Sequence, residues 1–445
     1  MNRITATKVS APAITYPPRT PVAPYTPLAR TRVDSVDLLR GLIMVIMMLD
    51  HTRDFVHFQA TMFDPTNVAR TTPILFFTRW ITHFCAPLFV FLAGTGAYFQ
   101  SLRGKPRKDL SVFLVTRGLW LIFLELTVVR VLVFFNVDLF EFLFLQVIWA
   151  IGCSMIVLAG LVYLPVAAIA AFGVAMVALH NLFDGVQVTS WAGPGTTIPG
   201  FWASVWHVLH VPGLIFPFGA NGPKVFALYP LIPWIGVMAA GYAFGSVYRL
   251  EPKTRKRFLV RTGLLLTAAF IVIRAINIYG DPARWAVQDT PMKTFLSFLA
   301  TSKYPPSLLF LLMTIGPALL FLAWVERSDS PSRDAAGENG AAPSRSRLQG
   351  MRSFFITYGR VPMFFYLLQW VVAHTLAIVA SIIAGKPYDH LFSNIIIAPP
   401  AQAGAGFGLV TVYALWILGV LLLYPLCRWY ANVKARRRDW WLSYL

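Results

Sequence analysis

Cysteine and charged residues are both scarce in this chain. It holds three cysteines among 445 residues, and Asp, Glu, Lys and Arg make up 13% of it, against roughly 25% in an average soluble protein. The cysteines lie in apolar stretches, at Cys85, Cys153 and Cys427, which indicates small buried side chains and excludes a disulfide framework. No CxxC motif and no His/Cys pair at metal-ligand spacing occurs, so the sequence predicts no metal site.

Apolar residues, by contrast, make up 57% of the chain. Runs of about 18 or more such residues recur along nearly its whole length, and a run of that length can cross the hydrocarbon core of a bilayer as a helix. We therefore expect an all-α, polytopic membrane bundle of about ten transmembrane helices. The predicted spans are 36–58, 73–100, 110–135, 142–163, 165–182, 225–248, 259–280, 306–326, 353–383 and 406–432.

Acidic residues are half as numerous as basic ones, 19 against 38, and the formal net charge is +19. The basic residues lie in short clusters before the first span and after the second, sixth, eighth and tenth. Under the positive-inside rule this pattern places both termini in the cytoplasm. Because no basic domain collects the charge, we expect no nucleic-acid partner, and the expected partner is the lipid bilayer.

Two segments are too polar to belong to the membrane bundle. Residues 1–30 are Pro-rich and contain no apolar signal-peptide region, so we expect a disordered cytoplasmic tail and a first span that is itself the insertion signal. Residues 327–351 are rich in Ser, Gly, Ala and Arg, which predicts a disordered cytoplasmic linker. The linker separates spans one to eight, in 31–326, from the last two spans and a basic tail, in 352–445.

Ionisable residues nevertheless occur at membrane depth near the outer ends of the first two spans. They are Asp50, His51, Arg53, Asp54 and His57 in span one, with Arg79 and His83 in span two. Such groups are costly to insert and usually face a protein interior or a wet cavity. Asp50, Asp54 and His57 stand at i, i+4 and i+7 on one helical face.

Other spans carry polar residues at a similar predicted depth, which predicts a shared polar cavity. These residues are Glu125, Arg130, Arg274, Asn277 and His374. Structural alternatives stay open for several of the ionisable groups. Arg53, Asp54 and His57 can be interfacial side chains, Arg79 can neutralise Asp50 or Asp54, and His374 can be a hydrogen-bonded core residue. For His51, which we expect to face His83, a functional role is favoured.

The residue types in this layer fit general-base catalysis. His51 or His83 would accept a proton, Asp50 would orient the imidazole, and Arg79 would stabilise developing negative charge. No GxSxG motif and no acidic pair arranged for glycoside cleavage occurs, so group transfer fits better than hydrolysis. The competing hypothesis is a transporter or flippase for a polar or lipid-linked substrate, since buried charges also line substrate paths.

The inner end of span one carries a second polar motif, SVDLLRG at 35–41. Ser35 is expected to cap a helix that begins at Val36, and Asp37 favours the positive helix end. Arg40 lies one turn further in, where it can pair with Asp37, extend to lipid headgroups or bind an anion.

Together these motifs resemble the bacterial branch of the heparan-α-glucosaminide N-acetyltransferase family of transmembrane acyltransferases. The resemblance covers about 32–380 and rests on SVDLLRG at 35–41, LDHTRD at 49–54, TRWITHFCAPLFVFLAG at 78–94, LYPLIPW at 228–234, KYPPS at 303–307 and YGRVPM at 358–363. It implies a catalytic bundle in 31–326 that transfers an acyl group, acetyl by expectation, from acetyl-CoA to an extracytoplasmic sugar or amino-sugar acceptor. It also implies a multi-pass protein of the bacterial inner membrane.

The resemblance further implies roles for individual residues. By position the family's essential histidine falls nearest His57, but the surrounding residues differ, and the bacterial branch centres on His51 and His83. Gln369 stands where a histidine is expected. Three arginines are expected to receive the CoA phosphates: Arg40, Arg117 and Arg360. Small residues that allow close helix packing, within the chain or in a homo-oligomer, are Gly94, Gly96, Gly236 and Gly241.

Overall fold

The computed structural model describes residues 33–60, 62–138, 142–328, 347–392, 404–437, 439 and 442. It confirms the predicted all-α, polytopic membrane fold. The α-helices are α1 Asp34–Val56, α2 Pro73–Trp80, α3 Cys85–Leu102, α4 Arg107–Leu124, α5 Arg130–Phe134, α6 Val147–Leu161, α7 Val166–Leu179, α8 Phe201–Leu209, α9 Leu231–Phe244, α10 Pro252–Ile276, α11 Pro291–Leu299, α12 Leu308–Ser328, α13 Arg347–Arg360, α14 Pro362–Ile383 and α15 Leu409–Arg436. The strands are β1 Phe142–Leu145, β2 Gly213–Ile215 and β3 Lys224–Ala227.

Short segments of tighter or wider helix join some of these elements. Four 3₁₀ segments are Ile81–Phe84, His180–Phe183, Gly245–Arg249 and Asp389–Phe392. A π-helical segment, Glu125–Val129, connects α4 to α5. Ile81–Phe84 contains His83, and His180–Phe183 contains His180 and Asn181.

Eight helical segments in the described part of the chain are long and apolar enough to cross a bilayer. α1 has the length, 23 residues, but its ionisable residues at both ends lower its hydropathy. α6 is apolar but has only 15 residues. The predicted total of ten spans and the cytoplasmic location of the termini therefore stay predictions.

Three predicted span boundaries are wrong. The predicted spans 142–163 and 225–248 begin as β1 and β3, which pair in parallel, with β2 antiparallel to β3. Short apolar runs fit a buried strand as well as a helix. The predicted span 353–383 divides at Val361 into α13 and α14, because Pro362 has no N–H to continue the helix.

The predicted polar segments fall largely outside the described residues. The tail, 1–30, lies wholly outside them. Of the predicted linker, 327–351, the two ends are helical, since α12 continues to Ser328 and α13 begins at Arg347. The predicted cap is also wrong: α1 begins at Asp34 after Val33, and Ser35 is buried inside the first turn.

α1 runs between two apolar cores. Ile43 packs into the core that includes side chains of α3, α6, α9 and α12. Met44 and Met48 pack into the second core, which includes side chains of α14 and α15. We call the end of the bundle where α1 begins the basic end and the end where α1 stops the opposite end. The ionisable residues Asp50 to Asp54 thus lie toward the opposite end, between two apolar masses.

Glycines allow the closest helix approaches. A Cβ at Gly41 would collide with the backbone carbonyl of Phe355, and one at Gly359 with that of Asp37, so α1 and α13 cross at backbone contact. Of the four predicted small residues, three approach neighbours within this chain: Gly94, Gly236 and Gly241. A Cβ at Gly96 would have no neighbour within 4 Å.

Candidate functional site

A carboxylate surrounded by three cations lies at the centre of the site. Arg79 donates from Nη1 to both oxygens of Asp50, at 2.7 and 2.5 Å. Arg53 Nη2 lies 3.0 Å from Asp50 Oδ1, and Lys303 Nζ lies 3.8 Å from Oδ2. We call Asp50, Arg53, Arg79 and Lys303 the Asp50 cluster. The structure thus brings the predicted residues Asp50 and Arg79 together.

Three separate elements supply this cluster. Asp50 and Arg53 lie one turn apart on α1. Arg79 comes from α2, which begins at Pro73 and is capped by Thr72, whose hydroxyl accepts the Leu75 N–H. Lys303 comes from the loop between α11 and α12. The cluster therefore forms only when the fold is complete.

The cluster contains buried guanidinium donors that its carboxylates leave unpaired. Asp54 adds a second carboxylate, 2.5 Å from Arg53 Nη2, and the exposed Asp64 lies within electrostatic range of Arg79 and Arg53. Three buried guanidinium nitrogens have no hydrogen-bond acceptor among the described residues: Arg53 Nε, Arg53 Nη1 and Arg79 Nε. Buried donors of this kind can bind an anionic ligand or stabilise an oxyanion that forms during a reaction.

His51 contacts α14 and stays within electrostatic range of Asp50, Asp54 and Lys303. Its Nδ1 lies 2.9 Å from Oε1 and 2.6 Å from Nε2 of the buried Gln369 amide. Its ring stacks on Trp370, with the centroids 3.7 Å apart. If Gln369 Oε1 accepts the Nδ1–H, then His51 Nε2 keeps a free lone pair. The residue that orients His51 is therefore Gln369, whereas Asp50 pairs with cations.

His83 lies in the 3₁₀ segment after α2 and is 2% exposed. Its ring packs against Phe310, with centroids 5.2 Å apart, and its Nδ1 has no hydrogen-bond partner within the described chain. His83 lies within electrostatic range of Arg79 and Lys303. The structure thus places it beside the Asp50 cluster, although no hydrogen bond to His51 is present among the described residues.

His57 lies just beyond α1 and takes part in a backbone junction. Its Nδ1 accepts the Gln59 N–H at 3.3 Å, and the chain beside it pairs with Phe407. Within the described residues no hydrogen bond or ion pair joins it to the Asp50 cluster.

The prediction of a wider polar cavity, shared with the other spans, is wrong. Glu125 accepts the N–H groups of Ile148 and Trp149, each at 3.1 Å, and so caps the start of α6. Arg130 donates to the carbonyls of Phe142 and Asn136. These side chains satisfy backbone groups of their own neighbourhood.

The polar residues near the end of α10 and in α14 also contact groups of their own neighbourhood. Arg274 donates to the carbonyls of Ala283, Ser297, Phe298 and Ala300. Asn277 exchanges hydrogen bonds with the backbone of Trp285. His374 stacks between the rings of Phe55 and Phe135, at 4.4 and 3.9 Å. These groups share a similar predicted depth in the membrane, but they do not form one site.

Sequence reasoning missed several residues of the site. The sequence left open that Arg53 is an interfacial side chain, but the structure buries it with 3% exposure. The sequence alone assigns Lys303 and Gln369 no role in the site. Lys303 lies in the motif KYPPS at 303–307, and the hydroxyl of its neighbour Tyr304 lies 3.4 Å from that of Tyr229, in the motif LYPLIPW. The meeting of these two motifs was the signal that could have located Lys303.

A cavity of about 1010 Å³ opens at the basic end. We call it the basic cavity because seven cationic residues line it: Arg40, Arg103, Arg117, Arg255, Arg360, Lys434 and Arg437. All three arginines predicted to bind CoA are among them. Arg40 pairs with Asp37 at 2.9 Å, and Arg360 lies 3.6 Å from Asp34.

The lining of the basic cavity also reaches inward along α1 and α14. It includes Met44 and Tyr366. Met44 precedes His51 by seven residues, which is about 10 Å along a helix, and Tyr366 precedes Gln369 by less than one turn. The basic cavity therefore ends within about two helical turns of His51.

Comparison with known proteins identifies a family. A search of curated proteins finds no match. The family model described as "Heparan-alpha-glucosaminide N-acetyltransferase, catalytic" matches residues 32–280, which is more than half of the chain. The matched region contains Asp50, His51, Arg79 and His83, whereas Lys303 and Gln369 lie beyond it. The chain therefore belongs to the heparan-α-glucosaminide N-acetyltransferase catalytic family, a family of multi-pass membrane acetyltransferases.

Proposed function

We propose that this protein transfers an acetyl group from acetyl-CoA to a sugar or amino-sugar acceptor. The donor binds in the basic cavity, the acceptor arrives from the opposite end, and His51 is the general base. The observation that carries the proposal is the basic cavity, which gathers Arg40, Arg117 and Arg360 and ends near His51. Under the predicted topology the basic end faces the cytoplasm of a bacterial inner membrane.

The basic cavity fits the donor in charge and size. CoA carries several phosphate groups, and arginine binds phosphate through charge-assisted, often bidentate hydrogen bonds. A volume of about 1010 Å³ lies at the upper end of the range for small-molecule sites. The apolar part of the lining, with Met44 and Phe89, suits the uncharged arm that carries the thioester.

The proposed chemistry uses His51 Nε2. With Gln369 Oε1 accepting the Nδ1–H, Nε2 takes a proton from the acceptor amine or hydroxyl as that group attacks the thioester carbonyl. The C–S bond breaks as the tetrahedral intermediate collapses, and the proton passes to the departing CoA thiolate. The products are the acetylated acceptor and free CoA.

The Asp50 cluster is suited to stabilise the oxyanion of that intermediate. Arg79 and Lys303 supply positive charge, and Asp50 fixes the position of the Arg79 guanidinium. Fixed donors of this kind require little reorganisation when charge develops. His83 lies beside the same cations and is the alternative base, which the variants below distinguish.

The direct test measures transfer of label from acetyl-CoA to glucosaminide acceptors by the purified protein. His51→Ala should lower kcat by about 100-fold or more, the usual contribution of a general base. His374→Phe is the matched control, because its imidazole is buried between the rings of Phe55 and Phe135 and takes no part in the proposed chemistry, so it should retain activity. Full activity in His51→Ala together with a loss in His83→Ala would move the base to His83. Full activity in both would refute the site.

A further inference from the structure

Three potential metal ligands converge near the ends of α7 and α8, apart from the Asp50 cluster. His180 begins the 3₁₀ segment that follows α7, Asp184 comes directly after that segment, and His210 directly follows α8. Their ligand atoms all lie within 4.8 Å of one another. The sequence predicted no metal because His210 is distant in sequence from the other two residues.

The two imidazoles are buried, with His180 1% exposed and His210 0% exposed. Their ring nitrogens make no close hydrogen bond within the described residues, although His180 lies beside the Pro306 backbone and His210 faces Asp184. The rings are nearly perpendicular, at 79°, and His210 Nε2 lies 3.4 Å from Asp184 Oδ1. Because buried polar atoms are normally paired, these nitrogens point to a ligand.

The carboxylate of Asp184 is held in the orientation that a metal site requires. Asn181 donates from its side-chain amide to Asp184 Oδ2 at 2.8 Å. This leaves Oδ1, the oxygen nearer His210, as the atom that can coordinate. Hydrogen bonds that orient a ligating carboxylate are a regular feature of metal sites.

We propose that His180, Asp184 and His210 bind a divalent transition metal of the zinc class. Two imidazole nitrogens and one carboxylate oxygen are a common zinc ligand set, with water in the fourth position. In a tetrahedral zinc site the ligand atoms are about 3.4 Å apart. Small side-chain rotations would close the present separations to that value.

The metal would also order the segment that carries Lys303. Asn181, which orients Asp184, accepts the backbone N–H of Leu308 through Oδ1 at 2.9 Å. Leu308 begins α12, directly after the loop that contains Lys303. Binding at His180, Asp184 and His210 is therefore connected through one side chain to the loop that completes the Asp50 cluster.

His207, which lies in α8 three residues before His210, provides a matched control. It is as buried as His210, but its Nδ1 lies 3.0 Å from the Val211 carbonyl and its Nε2 lies 3.1 Å from the Thr189 carbonyl. Both nitrogens therefore have backbone partners, and His207 is not expected to coordinate a metal.

The test uses the full chain, purified without a histidine tag and stripped with a chelator. Titration with Co²⁺ should give the visible absorption of a tetrahedral site at one equivalent, and Zn²⁺ should displace it. His180→Ala and His210→Ala should weaken binding by more than about 100-fold and Asn181→Leu by about 10-fold, while His207→Gln binds normally.

Two results would overturn the proposal. One is stripped wild-type protein that binds neither Co²⁺ nor Zn²⁺, a result that needs no variant to fold. The other is folded His180→Ala and His210→Ala protein that binds zinc as tightly as the wild type. Metal binding is read without any transfer assay, so its failure is separate from failure of the proposed acetyl transfer.

Discussion

Asp50→Asn should be among the most destabilising single substitutions in the membrane core. It removes one negative charge and keeps the shape of the side chain. Arg53, Arg79 and Lys303 then face each other with only the more exposed Asp54 and Asp64 as counter-charges among the described residues. Removing one partner of a buried ion pair typically costs about 3–5 kcal/mol. Asp50 contacts three cations, so we expect a loss of free energy of unfolding within or above that range.

Asp54→Asn is the matched control on the same helix. The Asp54 side chain is 41% exposed and forms an ion pair with Arg53. Solvent screening of the exposed carboxylate limits the contribution of such a pair to about 1 kcal/mol. The free energy of unfolding of both variants can be measured by detergent titration in mixed micelles. Equal losses in the two variants would refute the reasoning that the Asp50 cluster is a buried electrostatic centre.

Two further predictions follow from particular contacts. Gly41→Ala should destabilise the protein by about 1–3 kcal/mol or more, because its Cβ meets a backbone carbonyl, whereas Gly96→Ala should lower the melting temperature little. Equal melting temperatures would contradict this packing. Gln369→Leu should lower kcat about tenfold, the equivalent of one hydrogen bond, with acetyl-CoA binding unchanged; a kcat equal to that of the wild type would remove Gln369 from the mechanism.

The fold class and part of the site could be predicted from the sequence because both depend on local signals. Long apolar runs identify helices that can span a membrane. Asp50 and His51 are conspicuous because charges are rare in such runs, and Arg79 is conspicuous for the same reason. Their pairing across two consecutive spans needed only the assumption that the two helices are antiparallel neighbours.

The remainder of the site depends on tertiary structure. Gln369 contacts His51 across 318 positions of sequence, and a single amide in an apolar helix carries no signal of its partner. Lys303 lies in a loop, where a lysine is ordinarily solvated. The predicted polar layer failed for the opposite reason, since Glu125 and Arg274 share a similar depth with Asp50 but satisfy nearby backbone groups.

In the proposed mechanism the donor binds at one end of the bundle and the catalytic centre lies toward the other, which makes sidedness the decisive property. In oriented proteoliposomes, labelled acetyl-CoA would be added on the side of the basic end, with a glucosaminide acceptor enclosed on the opposite side. We predict labelled acceptor inside the vesicles with the wild type and a loss of about 100-fold or more with His51→Ala. Label that appears only when donor and acceptor share one side, or uptake of unmodified acceptor without acetyl-CoA, would contradict the proposed transfer.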